Sequence, residues 1–96
     1  MINDALAVKY NLQGKELEKQ GKIDEAIILY ERNVANGFDG SHPYKRLSII
    51  YRKLKRYDDE IRVLNAAIKI YEPKQDVDKD KYDYFVTRLE QAKKLR

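Results

Sequence analysis

Cysteine and tryptophan are both absent from this chain. Without a thiol there is no disulfide, no thiolate metal site and no cysteine nucleophile. That composition suits a reducing compartment, and the cytoplasm is the expected location. Histidine occurs once, at His42, and a lone imidazole without cysteine does not make a zinc site. Only 2 prolines and 4 glycines interrupt the sequence, so long helices are permitted. No apolar run approaches the ~20 residues of a membrane-spanning helix. The opening MINDALAVKYNLQGK has no basic segment leading into an apolar one, so no secretory signal is expected. Strand-like alternation is missing as well. So are the Gly-rich phosphate loop, GxSxG and HExxH.

What is present is charge and helical periodicity. The 96 residues are enough for one small domain. Hydrophobic residues make up 43% and charged residues 38%, with a net charge of +4. The excess is uneven: segment 1–40 sums to −2, segment 41–74 to +5 and segment 75–96 to +1. Residues 41–56 hold Lys45, Arg46, Arg52, Lys53, Lys55 and Arg56 and no acid. Such a field favours anionic partners, although a cluster of this kind also serves as a plain solvated helix face.

Apolar residues recur at helical spacing in five segments. They are Leu6, Tyr10 and Leu17; then Ile23, Ala26, Ile27, Tyr30 and Val34; then Leu47, Ile50, Tyr51 and Leu54. Tyr57, Ile61, Leu64, Ile68 and Tyr71 form the fourth set, and Tyr82, Phe85, Val86, Leu89 and Ala92 the fifth. Shifting the chain by 34 residues superposes Tyr10 on Tyr44, Gly14 on Ser48, Leu17 on Tyr51 and Ile23 on Tyr57. The same shift places Asp24 on Asp58, Ile27 on Ile61, Tyr30 on Leu64 and Val34 on Ile68. A 34-residue period with two helices per unit is the signature of a helical solenoid, whose units bury their apolar faces by stacking.

On these residues the chain resembles the tetratricopeptide repeat family over residues 7–40 and 41–74, with KQGKIDEAIILYERNV (19–34) as its best stretch. Gly21 stands at the turn within the first unit, Ala26 and Ala67 at the small positions of helix crossings. The pattern departs at Gln13, Asn33, Lys55 and Glu60, where the family places Leu, Ala, Gly and Ala. Its closing Pro is Phe38 in the first unit and comes one residue late, as Pro73, in the second. A buried Glu60 would need a partner or a route to water. Residues 75–96 are expected to form a capping helix, with Tyr82, Phe85, Leu89 and Ala92 inward and Asp83, Arg88, Glu90 and Lys94 toward water. The expected fold is therefore all-α, a short right-handed α-α superhelix of about five antiparallel helices in one domain spanning 1–96. The initial Met and the cap lead to the expectation of a complete small protein.

Two loops look chemically loaded. DVDKD (76–80) begins like a calcium loop, but Lys81 and Thr87 stand where that loop needs Gly and Glu, so helix capping by Asp76, Asp78 or Asp80 is expected instead. NGFDGSHPY (36–44) brings Asp39, Ser41 and His42 together in sequence, but a triad is a matter of spatial geometry. Each residue has a local structural role instead. Gly37 serves as a left-handed cap with Phe38 folding back on it, Ser41 as N-cap, and Pro43 fits the first helical turn. Neither enzyme activity nor a cofactor is expected.

The resemblance implies a concave groove lined by the first helix of each unit. It would show Asn11, Lys15 and Glu18, then His42, Lys45, Ile49, Arg52 and Lys53, a mostly basic surface with one apolar spot. An acidic peptide or protein segment is the expected partner, with Arg52 suited to planar carboxylates. The family's chaperone-binding carboxylate clamp is not expected: its positions carry Asn11, Lys15, Arg46, Asp76 and Asp80, the last two of the wrong sign. The alternatives are a self-assembling homo-oligomer, or nucleic-acid binding through the basic 41–56 helix with its interleaved Tyr44 and Tyr51.

Overall fold

The computed structural model describes residues 4–96. It contains five helices: α1 (Asp4–Lys19), α2 (Ile23–Ala35), α3 (His42–Lys53), α4 (Tyr57–Tyr71) and α5 (Lys79–Leu95). A single 3₁₀ turn, Glu72–Lys74, carries Pro73 out of α4. Among the described residues there is no strand, and each helix packs on the next along the chain.

Three helices end in the same way. The Lys22 N–H reaches the Leu17 carbonyl at 2.9 Å while the Gly21 N–H reaches Glu18 at 3.0 Å. Phe38 and Gly37 repeat this on Asn33 and Val34, and Arg56 and Lys55 on Tyr51 and Arg52. This paired closure of the last carbonyls requires a left-handed residue, normally glycine. Gly21 (φ 76°) and Gly37 (φ 67°) supply it freely, but Lys55 adopts it at φ 61° despite its Cβ.

The core is built around tyrosine. Tyr30, Tyr44, Tyr51 and Tyr71 are fully buried with Phe85, Leu47, Leu64 and Val63. A buried phenol needs an acceptor, and each ring reaches one at its tip. Tyr30 donates to Glu18 (2.6 Å) and Tyr51 to Glu31. Tyr44 donates to the Phe38 carbonyl (2.6 Å) and Tyr71 to that of Asp39 (3.0 Å). The last two bonds pin the loop between α2 and α3 from inside. Ala26 and Ala67 are fully buried.

Several outward and inward assignments differ from the sequence pattern. Leu54 falls just past the end of α3 and is 46% exposed, because the chain turns at Lys55 before its side chain can pack. Arg88 does not face water: its guanidinium approaches the fully buried Glu60 at 3.4 Å. Ser41 and Asp78 do occupy the N-cap positions of α3 and α5, but neither side chain makes the capping bond. The Asp78 carboxylate lies 3.7 Å from Lys81 instead.

Candidate functional site

The residues that the sequence singles out lie on α1 and α3. Asn11, on α1, is turned inward: its Oδ1 accepts from Asn33 Nδ2 at 2.8 Å, and the same amide donates to the Ala7 carbonyl at 2.9 Å. Asn33 thus bridges two groups of α1. Lys15, one turn further along, is exposed.

His42 opens α3. Its ring packs edge-on to Tyr30, with centroids 5.5 Å apart. Burial, then the charges of Lys15 and Arg46, push its pKa below the ordinary value, with Glu18 opposing them. Glu18 itself receives Arg46 Nε at 3.1 Å and the Tyr30 hydroxyl. Arg46 is therefore internally neutralised, and it ties α3 to α1.

Lys45 is exposed, with its ammonium 4.8 Å from the centroid of Tyr84 on α5. That distance is within cation–π range and leaves the charge accessible. Beside it Ser41, Asp80, Lys81, Tyr84 and Phe85 line a cavity of about 210 Å³. Ile49 and Lys53, which follow Lys45 at i+4 and i+8 of α3, belong to a larger cleft of about 350 Å³.

Arg52 differs from its neighbour. Its Nε lies 2.9 Å from Glu60 Oε2, one terminal nitrogen 3.0 Å from the Arg88 carbonyl and the other 3.1 Å from Gln91 Oε1. The guanidinium is thus already engaged as a staple joining α3, α4 and α5. Sequence reasoning expected it to meet a ligand's carboxylate, and the carboxylate it meets is the chain's own. This also answers the need of Glu60 for a partner.

Lys15, Lys45 and Lys53 thus present accessible charge on this side of the molecule. Among the described residues none of the three forms an ion pair. Sequence reasoning missed Tyr84, Gln91 and Arg88, which belong to the same face. Their spacing on α5 was a usable signal, since Tyr84, Arg88 and Gln91 fall at i, i+4 and i+7. It also missed Val8 and Leu12, which are 49% and 60% exposed on α1.

No helix among the described residues is long and apolar enough to cross a membrane. Compared with protein-family models, curated proteins and solved structures, the chain gives no match. The surface around α3 carries accessible ammonium groups, aromatic and aliphatic side chains, and two cavities lined in part by α3 residues.

Proposed function

We propose that this chain is a small tetratricopeptide-like interaction module whose α1–α3–α5 face binds an acidic peptide or protein segment in the cytoplasm. The observation that carries the reading is the contrast among the cations. Arg46 and Arg52 are held by internal carboxylates, whereas Lys15, Lys45 and Lys53 have none. Unpaired ammonium groups on one face attract carboxylates with little competing internal interaction to break.

Support for a repeat array comes from the helix boundaries. α2 and α4 begin at Ile23 and Tyr57, 34 residues apart, and α1 and α3 end at Lys19 and Lys53, also 34 apart. The left-handed turn residues Gly21 and Lys55 keep that offset. A binding role in place of catalysis accords with the loop 36–44, where His42 packs on Tyr30 and the Asp39 carbonyl holds Tyr71. A second reading, self-association, is favoured by exposed Val8, Leu12 and Ile28 in the first helical pair.

A capped, fluorescently labelled peptide of glutamates around a central leucine tests the reading by anisotropy. Binding should weaken as salt rises and should disappear in the Lys15→Glu, Lys45→Glu, Lys53→Glu triple variant without a change in helical CD. Undiminished affinity in that variant sinks it. Tighter binding of labelled single-stranded DNA than of the peptide would move the assignment to nucleic acid.

A further inference from the structure

The cleft beside α3 offers more than charge. Ile23, Ile49, Ile50 and Leu54 form its walls, and Glu18, Arg46 and Lys53 stand around them. Leu54 is exposed and Ile23 and Ile49 are half-buried, so apolar surface faces water in the free protein. Covering such surface is favourable. The volume, about 350 Å³, lies at the small end of ligand pockets (~300–1,000 Å³), enough for a single large side chain.

Charge determines what kind of side chain arrives there. The Glu18 carboxylate is taken up by Arg46 and Tyr30, so the pair brings no net charge to the rim. Lys53 is the cation left over, in a stretch (41–56) that contains six basic residues and no acid. The comparable cavity of about 290 Å³ beside α1 and α2, lined by Gln13, Glu16, Leu17 and Leu29, has a glutamate as its charged group. An acidic segment is repelled there and attracted at Lys53.

Resting on the reading of the basic face, we infer that the α3 cleft is the anchor site of the acidic segment. It takes one large aliphatic or aromatic side chain of the partner, and a carboxylate next to that side chain in the partner pairs with the Lys53 ammonium. Apolar anchoring sets which acidic sequences bind, while the lysines set the rate and the salt dependence of encounter.

Two capped peptides test this, one with leucine between glutamates and one with alanine in its place. The leucine peptide should bind roughly 10- to 100-fold more tightly, the range expected for apolar groups in a hydrophobic pocket. Ile49→Gln should erase that difference. Methyl NMR of the unaltered protein gives a readout independent of any variant's folding. The leucine peptide, and not the alanine peptide, should shift the methyls of Ile23, Ile49 and Ile50. Equal affinities, both lost in the triple lysine variant, overturn the anchor and leave the basic face standing. Binding of both peptides by the triple variant as by wild type overturns the two readings together. A dimer in sedimentation that Ile49→Gln returns to monomer means a second copy fills the cleft, and overturns the proposal.

Discussion

Glu60 Oε2 lies 2.9 Å from Arg52 Nε at a junction where the Glu60 side chain is wholly shielded from water. Arg88 approaches the same oxygen from α5 at 3.4 Å. A buried carboxylate is tolerable only when paired, and removing one partner typically costs about 3–5 kcal/mol. Arg52→Ala should therefore lower the urea midpoint strongly, whereas Lys53→Ala, one residue away, should leave it within roughly 0.5 kcal/mol. Replacing the pair together, as Arg52→Met with Glu60→Leu, should recover most of the loss. Equal midpoints for the two single variants would show that the staple contributes nothing.

Lys55 holds the left-handed conformation that Gly21 holds 34 residues earlier. A side chain in that region costs roughly 1–2 kcal/mol, which glycine avoids. Lys55→Gly should raise the stability by about 1 kcal/mol. A Cβ at Gly21 would meet nothing within 4 Å, so Gly21→Lys isolates the backbone effect and should cost about the same. Thermal melts of the two variants should move in opposite directions.

Gly14 lies under the ring of Tyr30. A Cβ built there would sit 2.5 Å from Cε1 of a ring with no room to retreat. Alanine favours a helix over glycine by about 1 kcal/mol, so a purely local view predicts stabilisation by Gly14→Ala. The clash should reverse that sign, with overpacking costing roughly 1–3 kcal/mol. At the 34-residue offset the pair is Ser48 and Leu64, a larger small residue matched to a smaller large one. Tyr30→Leu should accordingly relieve Gly14→Ala in a double-mutant cycle, and strict additivity would contradict the packing.

Glu18 links stability to pH. Burial raises its pKa, but hydrogen bonds from Arg46 and Tyr30, with the charge of Arg46, outweigh this and hold it below the ordinary 4.5. The unfolded chain then binds the proton more readily, so the contribution is full above the ordinary value and is lost as pH falls below it. Urea midpoints should drop between about pH 5.5 and pH 3. Glu18→Gln should cost roughly 1.5–3 kcal/mol at neutral pH and much less at pH 3. Asp59 is lowered too, burial being outweighed by Arg56 and Arg62, so the variant flattens the curve without levelling it. A variant with the wild-type slope would exclude Glu18 as its source.

The all-helical class, the five helices and the tyrosine-rich core were legible along the chain. Helical periodicity is a local property, and a 34-residue self-match repeats it in register. The turn at Gly21 and the left-handed cap at Gly37 were legible for the same reason, since a glycine after a periodic segment is a local signal. The NGFDGSHPY loop likewise read as a corner, and the hydroxyls of Tyr44 and Tyr71 hold it there.

Adjacent cations were not separable in that way. Arg52 and Lys53 follow one another on one helix, in an acid-free stretch, and look alike in sequence. Folding of α4 and α5 against α3 brings Glu60, Gln91 and the Arg88 carbonyl to the first and leaves the second in solvent. Arg88 was assigned to water with Asp83, Glu90 and Lys94, away from the apolar face of its helix; the carboxylate it meets lies 28 residues away. Periodicity along the chain determined which segments form helices and most of the apolar side chains that line the core. Which charges became internal staples and which stayed accessible was decided only in three dimensions, because ion pairing depends on distances set by helix packing.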